Sequence, residues 1–328
     1  MTRLPVQSVV RRRWMAAALT GVILIVLLRR VPAGDLLAAL GQADYGLFLA
    51  AMIPNTVFYF CWDTLVLAVV LRWFHGPVGY CDLLPARAAS YVVAFFNTNA
   101  GRGALAAYLT RRLGLPFLQL GSTVLFLVLT EYLHLVAWAT IGILQIGGDV
   151  PRELLMAPPA LALLWLVVFL YARAGSGRPS LRWLFAPRNW ALLRTFRLAP
   201  ARRYAQVVLL RAPMFFVSLC LHAVAARAFG LDIPFVRMLA FLPVIFMVAA
   251  LPITVARLGT TQVAWLFFFS PYADAPRLLA FSLAAHLTFV ATRSVLGVAL
   301  LPRAYADLVR PARPGRAPAM HAPAGSSS

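Results

Sequence analysis

Ala94-Phe-Phe-Asn-Thr-Asn-Ala-Gly-Arg-Gly-Ala-Leu-Ala-Ala-Tyr108 is a polar interruption in an apolar chain. Asn97, Thr98, Asn99, Gly101, Arg102 and Gly103 cannot lie bare in lipid, where every unsatisfied backbone group costs several kcal/mol. The stretch must be buried in protein or line a wet cavity. A second interruption, Leu251-Pro-Ile-Thr-Val-Ala-Arg-Leu-Gly-Thr-Thr-Gln262, lies in the other half of the chain. Paired interruptions in corresponding halves point to a transporter-type site between them.

Composition supplies the lipid. Of 328 residues, 62% are hydrophobic and 12% charged, whereas soluble domains are about half apolar and about a quarter charged. An all-α polytopic membrane protein is predicted. The formal charge is +20, and all 30 basic residues are arginine. No aromatic-basic module accompanies them, so nucleic acid is not an expected partner. Basic loops on such a protein set topology and face anionic lipid. Cys61, Cys81 and Cys220 lack metal-ligand spacing and read as small apolar residues. No HExxH or Ser–His–Asp grouping occurs, and His134 and His286 stand alone on apolar helices. No catalytic residue, metal or cofactor is expected, and the chain is not read as an enzyme. Gly101-x-Gly103-x-x-Ala106 mimics a dinucleotide fingerprint but has no strand before it.

Outward from the interruptions, six full spans are predicted: Trp14–Leu28, Tyr45–Trp73, Phe117–Ile146, Ala157–Tyr171, Tyr204–Phe229 and Arg277–Leu301. The first is read as a retained helix, because Arg29-Arg30 follow it and no small-residue cleavage site is evident. Residues 83–112 and 235–269 each have arms too short to cross a core of ~30 Å and read as re-entrant hairpins. Spans and hairpins form one transmembrane domain over residues 1–302. Residues 303–328, rich in Pro, Ala, Gly, Arg and Ser, are expected to be a disordered cytoplasmic tail. Residues 45–146 and 204–301 share one order of elements, with Pro54 and Pro213 inside the opening spans, and are expected to form an inverted repeat. The 173–203 loop holds eight arginines and no acid. It is expected in the cytoplasm with both termini, hairpin 83–112 entering from that side and hairpin 235–269 from the other.

Charges at depth are Asp63, Arg102, Glu131, Arg257 and Arg293. Each costs ~2.5–3.5 kcal/mol at a helix centre and needs a partner or a wet cavity. Arg102 and Arg257 lie in the interruptions, beside Gly101, Gly103 and Gly259. Helix starts there would direct free N–H groups and a positive dipole end at an anion. A guanidinium adds the planar fork that suits phosphate. The predicted lipid-phosphate site is therefore Arg102, Arg257, Gly101, Gly103, Asn97, Asn99 and Gly259, with Asp63, Glu131 and Arg293 balancing charge in the membrane. The plainer reading is that Asp63 and Glu131 form ion pairs that fix packing, while Arg293 snorkels.

Leu71-Arg-Trp73, the run Asn99-Ala-Gly-Arg-Gly-Ala-Leu-Ala-Ala-Tyr-Leu109-x-Arg-Arg-x-Gly114 and Thr130-Glu131-Tyr132 resemble the bacterial flippase-like family. That family comprises the transmembrane region of lysylphosphatidylglycerol synthases and its stand-alone relatives. Leu251-Pro-Ile-Thr and Leu258-Gly-Thr-Thr-Gln262 resemble its Leu-Pro…Gly-x-x-Glu element, and the likeness covers about residues 15–302. This chain has Ala104 and Gln262 where the family usually has glutamate, and Ala107 where it has arginine. The resemblance implies lipid translocation across the inner membrane. It does not imply aminoacyl transfer here, since no soluble synthase domain is evident.

The favoured expectation is a flippase-like transporter for an anionic or polyprenyl-type lipid, whose headgroup enters between the two hairpins. Two alternatives stand beside it. One is a non-transporting partner of a membrane-associated biosynthetic enzyme. The other is an intramembrane enzyme on a lipid-linked donor, using Glu131 and His134, three residues apart on one helix.

Overall fold

Apolar runs between turn signals fold as helices, and no strand occurs among the described residues. The computed structural model describes residues 31–147, 152–173, 190–250 and 259–309, with Gly21, Ile23, Ile25 and Arg29 ahead of them. The helices are α1 (Ala33–Gly41), α2 (Tyr45–His75), α3 (Tyr80–Phe96), α4 (Thr98–Leu113), α5 (Phe117–Ile146) and α6 (Arg152–Arg173). After a 3₁₀ turn at Ala191–Leu193 come α7 (Arg194–Leu198), α8 (Ala201–Arg227), α9 (Phe235–Ala250), α10 (Thr260–Phe269) and α11 (Ala275–Val309).

Among the described residues, four helices are long and apolar enough to cross a membrane: α2, α5, α8 and α11. Six were expected. The expected span Trp14–Leu28 lies outside the described residues except at Gly21, Ile23 and Ile25, and Ala157–Tyr171 falls within α6. The helices are apolar outside and polar within. Leu144 and Leu209 are 75% and 70% exposed, while Asn55, Thr56, Asp63 and Arg211 are buried. Lipid in place of water produces that inversion, and the chain is a membrane protein. Buried hydroxyls bond back to their own helices, as Thr56 does to Met52 O at 2.9 Å and Thr130 to Phe126 O at 2.8 Å.

Two apolar clusters occupy opposite ends of these four helices. One holds Phe48 and Met52 from the start of α2, Ile143 from the end of α5, Phe229 beyond α8, and Leu278 from the start of α11. It also holds α9 and α10. The other holds Leu67 and Leu71 from the end of α2, Leu120 from the start of α5, Val207 of α8 and Ala304 near the end of α11, with α3 and α4. The short helices thus pack in pairs, one pair at each end.

Packing between residues 45–146 and residues 204–301 is reciprocal. The opening helices α2 and α8 meet each other, α3 lies against α11, and α9 lies against α5. A glycine permits each of the last two contacts. A Cβ at Gly142 of α5 would sit 2.4 Å from Ala240 N of α9. One at Gly297 of α11 would sit 2.6 Å from Val92 Cγ2 and 3.0 Å from Ala88 O of α3. Such close backbone approach is how helices associate without a hydrophobic drive between them.

Two expectations are corrected. The first interruption is one residue wide. Asn97 alone is extended, and Thr98, Asn99, Gly101, Arg102 and Gly103 are already helical in α4. The Asn97 side chain accepts from Asn99 N at 2.9 Å and Ala100 N at 3.0 Å, so one capping side chain satisfies the turn. Residues 303–309, expected in the tail, are helical. α11 runs through Pro302 to Val309, with Ala304 buried and Asp307 paired to Arg112 at 2.8 Å. Arg112 also reaches Asp82 at 3.0 Å, which ties both ends of the α3–α4 hairpin to α11. Those contacts offset the hydrogen bond that Pro302 removes. Of the basic loop, residues 174–189 lie outside the described residues. Beyond them, Thr195 N donates to Ser122 Oγ at 2.9 Å, which docks α7 on α5.

Gly142→Val and Gly297→Val are expected to lower the unfolding midpoint of the detergent-purified protein, each by more than the ~1–3 kcal/mol of ordinary overpacking, since backbone must move. Gly103→Ala, with nothing within 4 Å of the added carbon, is the control and should be neutral or stabilising. Equal midpoints for all three variants would contradict the reciprocal packing.

Candidate functional site

Asp63 of α2 is 3% exposed and stands among arginines. It forms a close ion pair with Arg87 of α3, and its Oδ1 lies 3.6 Å from Arg211 Nη1 of α8. Arg87 and Tyr91 lie four residues apart on one face of α3, and Tyr91 OH donates to Asp63 Oδ2 at 3.4 Å. Arg211, 2% exposed, also donates to Leu127 O of α5 at 3.3 Å. One carboxylate of α2 therefore ties α3 and α8 together.

This cluster forms one wall of a cavity of about 260 Å³ reached by α2, α3, α4, α5, α8, α9, α10 and α11. Arg293 of α11 lies over the Tyr91 ring at 3.4 Å and near Phe289 at 4.8 Å, with no carboxylate partner among the described residues. Arg102 of α4 donates to Asn99 Oδ1 at 3.4 Å. Glu131 of α5 accepts from Tyr59 OH at 3.1 Å. Four guanidinium groups and two carboxylates thus line one cavity inside an apolar bundle. Arg87 Nε, Arg211 Nε and Arg293 Nε are buried without a hydrogen-bond partner among the described residues. The cavity's other wall, with Met52, Phe246, Ala249 and Trp265, is mostly apolar. His222 lines it too, with Nδ1 donating to Ser218 O at 2.7 Å.

The structure sorts the predicted residues. Arg102, Gly101, Asp63, Glu131 and Arg293 line the cavity. Arg293 does so from within α11, so it does not snorkel from a helix end. Gly101 has a second task, because a Cβ there would lie 2.7 Å from Ser90 O and 2.5 Å from Ala94 Cβ; it lets the hairpin close. Asn97 and Asn99 are exposed, and Asn97 already occupies the N–H groups that an anion was expected to take. Gly103 does not line the cavity. Arg257 lies outside the described residues. Gly259 precedes α10 at φ 92 and donates to Gln262 Oε1 at 2.7 Å. Glutamine supplies the acceptor oxygen that this cap needs without a buried charge. Glu131 and His134 are not brought together: His134 Nε2 accepts from Trp138 Nε1 at 2.9 Å, away from the Tyr59–Glu131 pair.

Arg87, Arg211, Tyr59 and Tyr91 were missed. The signal was available for two of them, since Arg87 and Arg211 interrupt apolar runs at depth just as Asp63 does. The tyrosines carry no such mark.

The chain matches the family described as Lysylphosphatidylglycerol synthase TM region over residues 13–297, and it belongs to that family. No curated protein matches it.

Asp63→Ala leaves Arg87 and Arg211 facing each other without their carboxylate. Breaking a buried pair this way is expected to cost ~3–5 kcal/mol, read as a lower unfolding midpoint in detergent. Adding Arg87→Met to Asp63→Ala should recover part of the loss. An Asp63→Ala midpoint equal to that of the unmodified protein would show that the clamp does not hold the bundle.

Proposed function

We propose that this member of the Lysylphosphatidylglycerol synthase TM region family is an inner-membrane transporter that binds the headgroup of an anionic or polyprenyl-type lipid and moves it across the bilayer. One observation carries the reading: Arg87, Arg102, Arg211 and Arg293, from four different helices, line one cavity in the middle of an apolar bundle. A phosphate supplies several acceptor oxygens and a compensating charge. The acyl or prenyl chains stay in the bilayer.

In this reading α3–α4 and α9–α10 are re-entrant hairpins of an inverted repeat. Helix lengths support it, since α3 has 17 residues and α9 has 16, about 25 Å each at 1.5 Å per residue. Further support comes from the placement of the pairs at opposite ends and from the exchanged contacts α3–α11 and α9–α5. Charge supports the orientation. At the α3–α4 end stand Arg72, Arg111, Arg112, Arg194, Arg197, Arg202, Arg203 and Arg303 against Asp82 and Asp307. At the other end, Arg29, Arg227, Arg237 and Arg277 are matched by Asp35, Asp44, Asp232 and Asp274. The arginine-rich end is the cytoplasmic one. Alternating access then follows from rocking one unit against the other, with Arg102 and Arg293 holding the phosphate and the Asp63 clamp holding Arg87 and Arg211 in register.

The test is movement of a fluorescent anionic phospholipid across vesicles containing the purified protein. Arg102→Ala and Arg293→Ala are expected to slow it ~10-fold or more, as each removes charge-assisted hydrogen bonds. Arg293→Lys should also be impaired, because lysine lacks the fork and the ring stacking. Unmodified rates in all three variants, with normal insertion, would refute the phosphate site.

A further inference from the structure

We infer that the cavity is charge-matched to the terminal phosphate of a phosphomonoester, bearing two negative charges, in preference to a singly charged phosphodiester. The inference rests on the anionic-headgroup reading above and narrows it. Among the described residues the cavity is lined by Arg87, Arg102, Arg211 and Arg293 against Asp63 and Glu131, so with its histidines neutral they give it an excess of two positive charges. Arg87 and Arg211 share Asp63, while Arg102 and Arg293 have no carboxylate partner among the described residues. In surroundings this apolar, an unmatched charge is costly. A phosphodiester cancels one of the two excess charges, and a terminal phosphate cancels both.

The donor geometry agrees. Arg211, 2% exposed, and Arg293 line the cavity. Arg102 lines it too and donates from Nη1 to Asn99 Oδ1 at 3.4 Å. These donors arrive from α8, α11 and α4. A phosphodiester offers two unsubstituted oxygens to three converging directions, and a terminal phosphate offers three.

The experiment uses the full chain in detergent at a pH where phosphomonoesters are doubly ionised. Binding of phosphatidic acid is compared with binding of phosphatidylglycerol of the same acyl chains. Phosphatidic acid is expected to bind about tenfold tighter or more. Arg293→Gln and, separately, the half-buried Arg102→Gln each reduce the excess to one charge, and each should bring the two lipids toward equal affinity. Phosphatidylglycerol binding as tightly as phosphatidic acid to the unmodified protein overturns the inference and leaves the anionic-lipid reading standing. Binding of neither lipid overturns both. Inorganic phosphate displacing phosphatidic acid at equal concentration supports the doubly charged ligand and assigns it to a soluble source. Failure of inorganic phosphate to displace it supports a lipid source.

Discussion

A carboxylate held between two guanidinium groups in the middle of an apolar bundle is the constraint on which the rest depends. Asp63 removed from water would be unstable alone, and so would Arg87 or Arg211. Together, with Tyr91 and the Leu127 carbonyl, they satisfy most of one another's needs. Because the three charges come from α2, α3 and α8, their pairing fixes where the first hairpin sits against both opening helices. The cavity lies beside this clamp, and Arg293 and Arg102 line it with no carboxylate ion-paired to either among the described residues. Stability and function thus meet at Asp63, whose charge supports the fold and fixes the cavity's surplus.

Backbone economy shapes the remainder. In lipid every N–H and C=O must find a partner within the protein, and the chain meets this with one-residue turns and local caps. Asn97 reverses the chain by occupying two N–H groups at the start of α4, and Gln262 does similar work ahead of α10. Close approach then replaces hydrophobic collapse as the source of cohesion. Gly101, Gly142 and Gly297 each let one helix reach the backbone of another.

Much of this was legible in the sequence, because lipid makes the rules severe. Phe117–Ile146 was bounded correctly, since Pro116 and Gly147 punctuate its apolar run. The depth of Asp63, Glu131 and Arg293 was also legible. What the sequence concealed was the partner of each charge. Arg87 sits in a run that reads as an apolar arm, and only the folding-back of α3 brings it to Asp63. The interruption at residues 97–103 looked wide because its residues are polar. Asn, Thr and Gly can all continue a helix once Asn97 has capped it, and composition does not reveal which residue turns. The end of α11 was misjudged at Pro302 for a related reason: the contacts of Ala304 and Asp307 that offset the proline are distant in sequence.

The most direct measurement of the central claim is mass spectrometry of the lipids that stay with the protein through purification. The account expects one phosphate-bearing anionic lipid to be retained well above its share of the host membrane by the unmodified chain. It expects that enrichment to vanish when Arg102 and Arg293 are both replaced by alanine. Retained lipids in bulk-membrane proportions, identical in both proteins, would contradict it.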